Sequence, residues 1–205
     1  MNPVILSMYS GGLDSVGVLY RLLADDQFAD FDVHVHHMHV VNRENRAVAE
    51  ERAVAKTLAL FKEGVDYRPF KFTQSLHRYD FMQKGMVWDM DLCAFVAGNI
   101  CAVDPNIAHV AMGRTNTDLD GGGEGFLKRM ERAQTIFKAV ISLDETDATY
   151  IFPVVEQSKE AVWNMLPDPL RQASWSCRRP VYDAERNPTP CGKCYSCLER
   201  AKFGA

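Results

Sequence analysis

The sequence has no apolar run long enough to cross a bilayer. Its longest apolar stretch, Leu92 to Val103, is interrupted by Gly98 and Asn99. No basic segment precedes the first apolar residues, so nothing reads as a secretory leader; the expectation is a cytoplasmic protein with no membrane partner. Positive charge is not in surplus. The 23 Lys and Arg against 27 Asp and Glu leave a formal net charge of −4, which argues against the broad basic surface of a nucleic-acid partner. Internal repeats and low-complexity tracts are absent, which removes repeat architectures. The usual NTPase phosphate loop, G-x-x-x-x-G-K-[ST], is also missing.

The composition that remains is that of an ordinary globular protein. With 205 residues, 47% hydrophobic and 24% charged, the chain can bury one full core and carry at most a small appendage. Six cysteines without a leader fit a reducing compartment, and a metal site better than disulfides.

The stretch around which the chain is organised is Met8-Tyr9-Ser10-Gly11-Gly12-Leu13-Asp14-Ser15-Val16. An apolar run, Val4-Ile5-Leu6, leads into it and a helical pattern continues to Leu23. Strand, glycine turn and helix start together make an anion site. Adjacent glycines let backbone N–H groups converge, and the first helical turn adds free N–H groups and positive dipole character. Ser10 and Ser15 offer hydroxyls, while Asp14 beside a phosphate makes sense with a bridging magnesium ion. The motif resembles the PP-loop of the ATP pyrophosphatases, which grips the β,γ-pyrophosphate of ATP and leaves the α-phosphorus open to attack.

The rest of the chain alternates strand and helix patterns, predicting an α/β fold with a doubly wound, mostly parallel sheet. Strands are expected at 3–8, 31–41, 67–72, 107–112 and 150–153. Helices are expected at 14–25, 42–61 (capped by Asn42 or Asn45), 90–103, 126–141 and 158–165. Thr73 to Trp88 reads as a loop with one short helix, and Gly121 to Gly123 as a mobile turn. Four histidines fall within His34–His39. Neighbours in a strand face opposite ways, so they read as polar residues at a strand end rather than a metal site. Cys93 and Cys101, eight apart, read as small core residues. Gly113 to Asp118 is a polar loop at a strand end, where open sheets place ligand-binding groups. Lys159 sits in the first turn of its helix, where a cation gains nothing from the dipole; it reads either as a phosphate or carboxylate contact or as a solvated surface lysine.

The tail carries the second signal. Cys177, Cys191, Cys194 and Cys197 can close a tetrahedral thiolate site. Gly192 permits the turn between ligands, and Lys193 offsets thiolate charge. Four protein ligands leave no open position, so the expected ion is a structural Zn2+; an iron–sulfur cluster is the rival, but no further cysteine follows at the ferredoxin spacing. The expected division is 1–170 for the ATP-binding α/β domain and 171–205 for a zinc-binding segment packed on it.

Ser10 to Ser15 followed at the far end by Trp175-Ser176-Cys177 and Cys191-Gly192-Lys193-Cys194-Tyr195-Ser196-Cys197 resembles the 7-cyano-7-deazaguanine synthase family, from end to end. The resemblance implies an adenine nucleotide alpha hydrolase-like fold and a carbon–nitrogen ligase of queuosine-type biosynthesis. It implies ATP, Mg2+ and Zn2+, with 7-carboxy-7-deazaguanine and ammonia as small-molecule partners, in a homodimer. Carried over, Met8 to Val16, Gly113 and Asp118 bind the nucleotide, and Asp14, Ser15 and Lys159 serve catalysis. Two positions depart from the family. Its Arg-Asn pair reads Met90-Asp91 here, and its aromatic, acidic and cysteine-containing segment reads as a glycine-rich Leu119–Phe126. Both lie where the deazaguanine would sit. An enzyme that stops at the amide, one that adenylates another substrate such as tRNA, and a non-catalytic nucleotide-binding relative therefore stay open.

Overall fold

The computed structural model describes residues 2–82, 88–142 and 146–203. Five parallel strands, β1 (Val4–Met8), β2 (Asp32–Val41), β3 (Phe70–Arg78), β4 (Ile107–Ala111) and β5 (Thr149–Ile151), form one sheet in the order β3-β2-β1-β4-β5. The central strand β1 is apolar without alternation because both its faces are covered, and Ile5 and Leu6 are fully buried.

Helices α1 (Leu13–Ala24) and α2 (Ala47–Glu63) cover one face. Leu19, Leu22, Val54, Leu58 and Phe61 of these helices share a core with Val33 and Val35 of β2. Helices α3 (Asp89–Val103) and α4 (Asn116–Ile141) cover the other face, where Leu92, Val96, Ala97 and Phe137 meet Leu6 and Val110. Two short helices, α5 (Lys159–Met165) and α6 (Asp168–Ala173), return to the first face through Val162, Trp163 and Leu170. Connections leave β1 and β4 toward opposite faces. The chain therefore opens a crevice beyond the carboxyl ends of these two strands.

Beyond α6 the chain forms a small antiparallel pair, β6 (Val181–Tyr182) with β7 (Pro188–Thr189), and ends in α7 (Tyr195–Arg200). This segment is tied back firmly. Trp175 N–H donates to the Gly11 carbonyl at 2.8 Å, and Arg178 forks onto Glu44 at 3.0 and 3.1 Å.

Several sequence expectations change. Strand β3 continues through Thr73–Arg78, which hydropathy reads as loop, because the residues turned inward are Thr73, Ser75 and His77. Their partners are histidines, so the alternation is polar. Residues 83–87 of that expected loop lie outside the described residues. Helix α2 starts at Ala47, not Asn42: Asn42 Oδ1 instead accepts from Glu44 N–H in a turn, and Asn45 takes a left-handed φ of 53°. Helix α4 begins ten residues earlier than expected, at Asn116 rather than Phe126. A capping box between Thr115 and Asp118 starts it, and Gly123 (φ 56°) kinks it. Gly121 to Gly123 thus lie on a helical path. Helices α6 and α7 were not foreseen.

Candidate functional site

The chain leaves β1 at Met8 and turns through Tyr9, Ser10, Gly11 and Gly12 into α1. Tyr9 is anchored first: its N–H donates to His36 O at 2.8 Å and its hydroxyl to Thr57 Oγ1 at 2.7 Å. Gly11 has φ +72°, and a Cβ there would lie 2.9 Å from the Val54 backbone nitrogen, so both conformation and space require glycine. Ser15 Oγ donates to the Gly12 carbonyl at 3.0 Å and lies 3.2 Å from Ser10 Oγ, which fixes the loop against the helix start. The first intrahelical bond runs from Val16 N–H to Gly12 O at 2.9 Å. The amides of Leu13, Asp14 and Ser15 precede it and have no carbonyl within the helix to bond. They form an anion cradle at the positive end of α1. Leu13 and Val16 point into the core and hold this end rigid.

Gly113, just past β4, closes the cradle from the side. A Cβ on it would come within 2.9 Å of Ser15 N and 3.0 Å of Asp14 Cβ. The two strand ends are therefore in backbone contact at the switch point.

Lys159, in the first turn of α5, is held by carboxylates. Its ammonium lies 2.8 Å from Asp118, 2.9 Å from Glu199 and 3.8 Å from Asp14. Three carboxylates thus share one ammonium at the rim of the cradle. Burial pushes the Asp14 carboxyl up to about 6; Lys159 restrains that rise while Asp118 and Glu199 add to it. For Lys159, burial acts to lower the ammonium, but Asp14, Asp118 and Glu199 outweigh it and leave it raised. Asp14 Oδ1 is buried without a hydrogen-bond partner. This orphaned oxygen is suited to a cation shared with bound phosphates, as Mg2+ is bound by one or two carboxylates plus substrate oxygens.

The cradle opens into a cavity of about 360 Å³, within the range of small-molecule sites. Its far wall is a second charged network. Arg46 bonds Asp89 at 2.5 Å, Glu44 at 2.8 Å and Glu50 at 3.0 Å, and Arg178 adds a contact of 3.4 Å to Asp89. Burial raises Glu50 to about 7, against the pull of Arg46. His36 also lines the cavity and sits in a hydrogen-bonded row, His34–Thr73–His36–Ser75–His77, at 2.7, 2.8, 3.0 and 2.7 Å. Burial pushes His36 down to about 4 and keeps it neutral. His37 faces the other side of the sheet, bonded to Tyr9 O at 2.9 Å.

The four cysteines converge. Their sulfurs lie within 4.8 Å of one another, with Cys191–Cys197 at 3.9 Å and Cys194–Cys197 at 3.5 Å. Thiolates about 2.3 Å from a tetrahedral ion stand about 3.8 Å apart, so the cluster fits a single ion. Backbone N–H groups of Cys191 and Cys194 donate to Cys177 and Cys191 sulfurs, both at 3.3 Å. Gly192, at φ +69° in open space, makes the turn that aims the sulfurs. Among the described residues this is the one group whose own ligand atoms lie close enough to hold an ion unaided.

Of the residues singled out from the sequence, Met8, Tyr9, Ser10, Gly12, Leu13, Asp14, Ser15, Gly113, Asp118 and Lys159 line the cavity, whereas Gly11 and Val16 do not. Cys101 is fully buried in the core; Cys93 packs against the same core, as expected, and also lines the cavity. Burial pushes its thiol up to about 12, so it is protonated at neutral pH. Sequence reasoning missed Glu199 and the Arg46–Glu50–Asp89 wall, and took Arg114 only as part of the Gly113–Asp118 loop. Arg114 carried a signal, as a cation beside the strand-end glycine. Glu199 carried none until the cysteine segment is folded back onto Lys159.

A parallel sheet with a Ser-Gly-Gly-Leu-Asp-Ser turn at its switch point defines an α/β protein of the PP-loop superfamily. In sequence, the chain is 27% identical over 221 residues to the 7-cyano-7-deazaguanine synthase of Chromohalobacter salexigens, covering 97% of this chain and 80% of that protein. In structure it is similar to the U34-tRNA thiolase NcsA from Methanococcus maripaludis, solved with its [4Fe-4S] cluster: the TM-score is 0.54 at 13% identity. That likeness is one of fold; it covers 98% of this chain and 64% of the thiolase chain, so the chain spans just under two thirds of the thiolase. No protein-family model matches the chain. Among the described residues, no helix is long and apolar enough to cross a membrane.

Proposed function

We propose that this protein is an ATP pyrophosphatase that activates the carboxylate of 7-carboxy-7-deazaguanine and, with ammonia, converts it to the nitrile. The observation that carries the reading is the convergence of the open amides of Leu13–Ser15 with Asp14, Asp118 and Lys159 at the mouth of one cavity. The similarity to the synthase across nearly the whole chain supports the choice of acceptor.

In this reading the cradle holds the outer phosphates of ATP and leaves the α-phosphorus facing the cavity. A carboxylate oxygen attacks that phosphorus and pyrophosphate leaves. Ammonia then adds to the acyl carbon, and AMP departs with the carboxylate oxygen, giving the amide. A second ATP adenylates the amide oxygen with release of a second pyrophosphate; loss of AMP and two protons leaves the nitrile. Each round replaces a poor oxygen leaving group by a phosphate ester. The protein contributes position and charge stabilisation. Lys159 fixes Asp14 and Asp118 at the rim. Magnesium, held through Asp14 and the phosphates, would offset charge building on the departing pyrophosphate.

We also propose zinc at the four cysteines. The sulfur separations support one small tetrahedral ion, whereas a four-iron cluster binds each thiolate to a different iron and spreads them wider. Metal analysis should give one zinc per chain; iron with a visible charge-transfer band would overturn this.

The function is tested by incubating the protein with ATP, magnesium, ammonium and the acid. AMP and pyrophosphate should appear only when the acid is present, and ADP with phosphate would refute the reading. A second reading, a PP-loop enzyme acting on tRNA, draws on the shared fold with the thiolase and on Cys93 in the cavity. It predicts activity with tRNA that Cys93→Ser abolishes.

A further inference from the structure

Arg114 directly follows Gly113 at the end of β4 and is buried to 6% exposure. Its guanidinium packs against the rings of Phe126 and Phe152, whose centroids lie 4.9 and 5.7 Å away. Its Nε has no hydrogen-bond partner, and among the described residues no carboxylate pairs with it directly: Asp118, already held by Lys159 at 2.8 Å, acts on it only from beyond ion-pair distance. The other arginines lining the cavity are all satisfied. Arg46 touches three carboxylates, Arg178 forks onto Glu44, and Arg200 bonds the carbonyls of Ser174 and Arg171 at 2.7 and 3.0 Å. Close by, the Tyr150 hydroxyl is also buried without a partner.

A buried guanidinium without a directly paired anion is costly, and aromatic faces offset only part of that cost. A site that retains one regains the difference when an anion arrives. The planar fork of a guanidinium matches the two oxygens of a carboxylate. The place is suitable, since the preceding residue, Gly113, touches the Asp14–Ser15 backbone and so sets Arg114 beside the phosphate cradle. The outer phosphates have the α1 amides for partners. An acceptor approaching the inner phosphorus needs a separate one. Phe126, which also lines the cavity, adds an apolar surface for a flat ring.

We propose that Arg114 binds the carboxylate of the acceptor and aims it at the nucleotide, with Phe126 fixing the plane of the guanidinium. This rests on the reading of the chain as an acid-activating ATP pyrophosphatase. The interaction is specific to the acid: once the carboxylate is adenylated or amidated its charge is gone, and the grip of Arg114 relaxes as the carbonyl becomes open to ammonia.

The test is equilibrium binding to the metal-loaded protein, comparing wild type, Arg114→Met and Arg114→Lys. The probes are 7-carboxy-7-deazaguanine, its 7-amide, pyrrole-3-carboxylate and ATP. Arg114→Met should weaken the deazaguanine acid on the order of 10- to 100-fold, as expected for a lost bidentate charged pair. Arg114→Lys should fall between, keeping the charge but not the fork. The amide and ATP should change by less than about twofold. Unaltered melting of Arg114→Met would show that folding is not the cause. Weakened ATP with unchanged acid binding would make Arg114 a phosphate ligand and overturn the proposal. If the acid drives AMP release but binds equally well to wild type and Arg114→Met, the role of Arg114 falls and the function stands. If the deazaguanine acid neither binds nor reacts while pyrrole-3-carboxylate binds through Arg114, the carboxylate subsite stands and the deazaguanine reading falls.

Discussion

Asp14 is pulled two ways by its surroundings. The cluster keeps its carboxylate beside Lys159 at 3.8 Å, yet burial raises its carboxyl from the ordinary 3.8 to about 6. The native state therefore holds this proton more tightly than the unfolded chain does. Stability from this source is complete below about pH 3.8 and is lost as the pH rises through 6. Above that, the fold carries a half-buried negative charge facing Asp118 and Glu199. Asp14→Asn should accordingly raise the melting temperature more at pH 8 than at pH 5, measured without nucleotide, although Lys159 keeps its other two partners. The same change should lower ATP turnover about 100-fold or more, as expected when a group that organises transition-state charge is lost. A variant less stable than wild type at pH 8 would mean that the carboxylate holds the apo fold together rather than straining it.

Elements decide how the site is assembled, and here glycine positions matter most. Gly113→Ala would press a methyl onto the start of α1, 2.9 Å from Ser15 N and 3.0 Å from Asp14 C, both backbone atoms. The expected outcome is a protein that still folds but binds ATP at least about tenfold more weakly, because the β4 loop must move away from the cradle. Unchanged ATP affinity in a titration would show that the contact between the strand ends is not needed. Strand β1, its glycine turn and α1 were legible because apolar run, turn chemistry and helix period agree within Val4–Leu23. The cysteine cluster was legible for the same reason, as spacing and thiol chemistry point one way. Strand β3 was not, because its inward Thr73, Ser75 and His77 meet histidines and leave no hydrophobic alternation. The early start of α4 was hidden by glycines that argue against a helix, and only the Thr115–Asp118 capping box betrays it. The charged far wall was invisible for another reason: Arg46, Asp89 and Arg178 are far apart in sequence, and only the fold joins them.

At the scale of the whole molecule, the four-cysteine segment and the glycine-turn cradle form one unit. Helix α7, which starts at Cys194, brings Glu199 within 2.9 Å of Lys159, and Trp175 bonds the Gly11 carbonyl behind the cradle. Removing the metal with a chelator should lower the melting temperature by several degrees, and ATP affinity should fall in the same titration because Glu199 no longer holds Lys159. Gly192→Ala should produce a milder form of both effects through its left-handed backbone, φ +69°, at a cost of about 1–2 kcal/mol. ATP affinity that survives metal loss would separate the two sites. The most direct test of the account follows the oxygen that is transferred. When the protein acts on 7-carboxy-7-deazaguanine labelled with oxygen-18 in the carboxylate, mass spectrometry should find one labelled oxygen in the AMP released. AMP without the label, or label recovered only in inorganic phosphate, would contradict attack of the acid on the α-phosphorus.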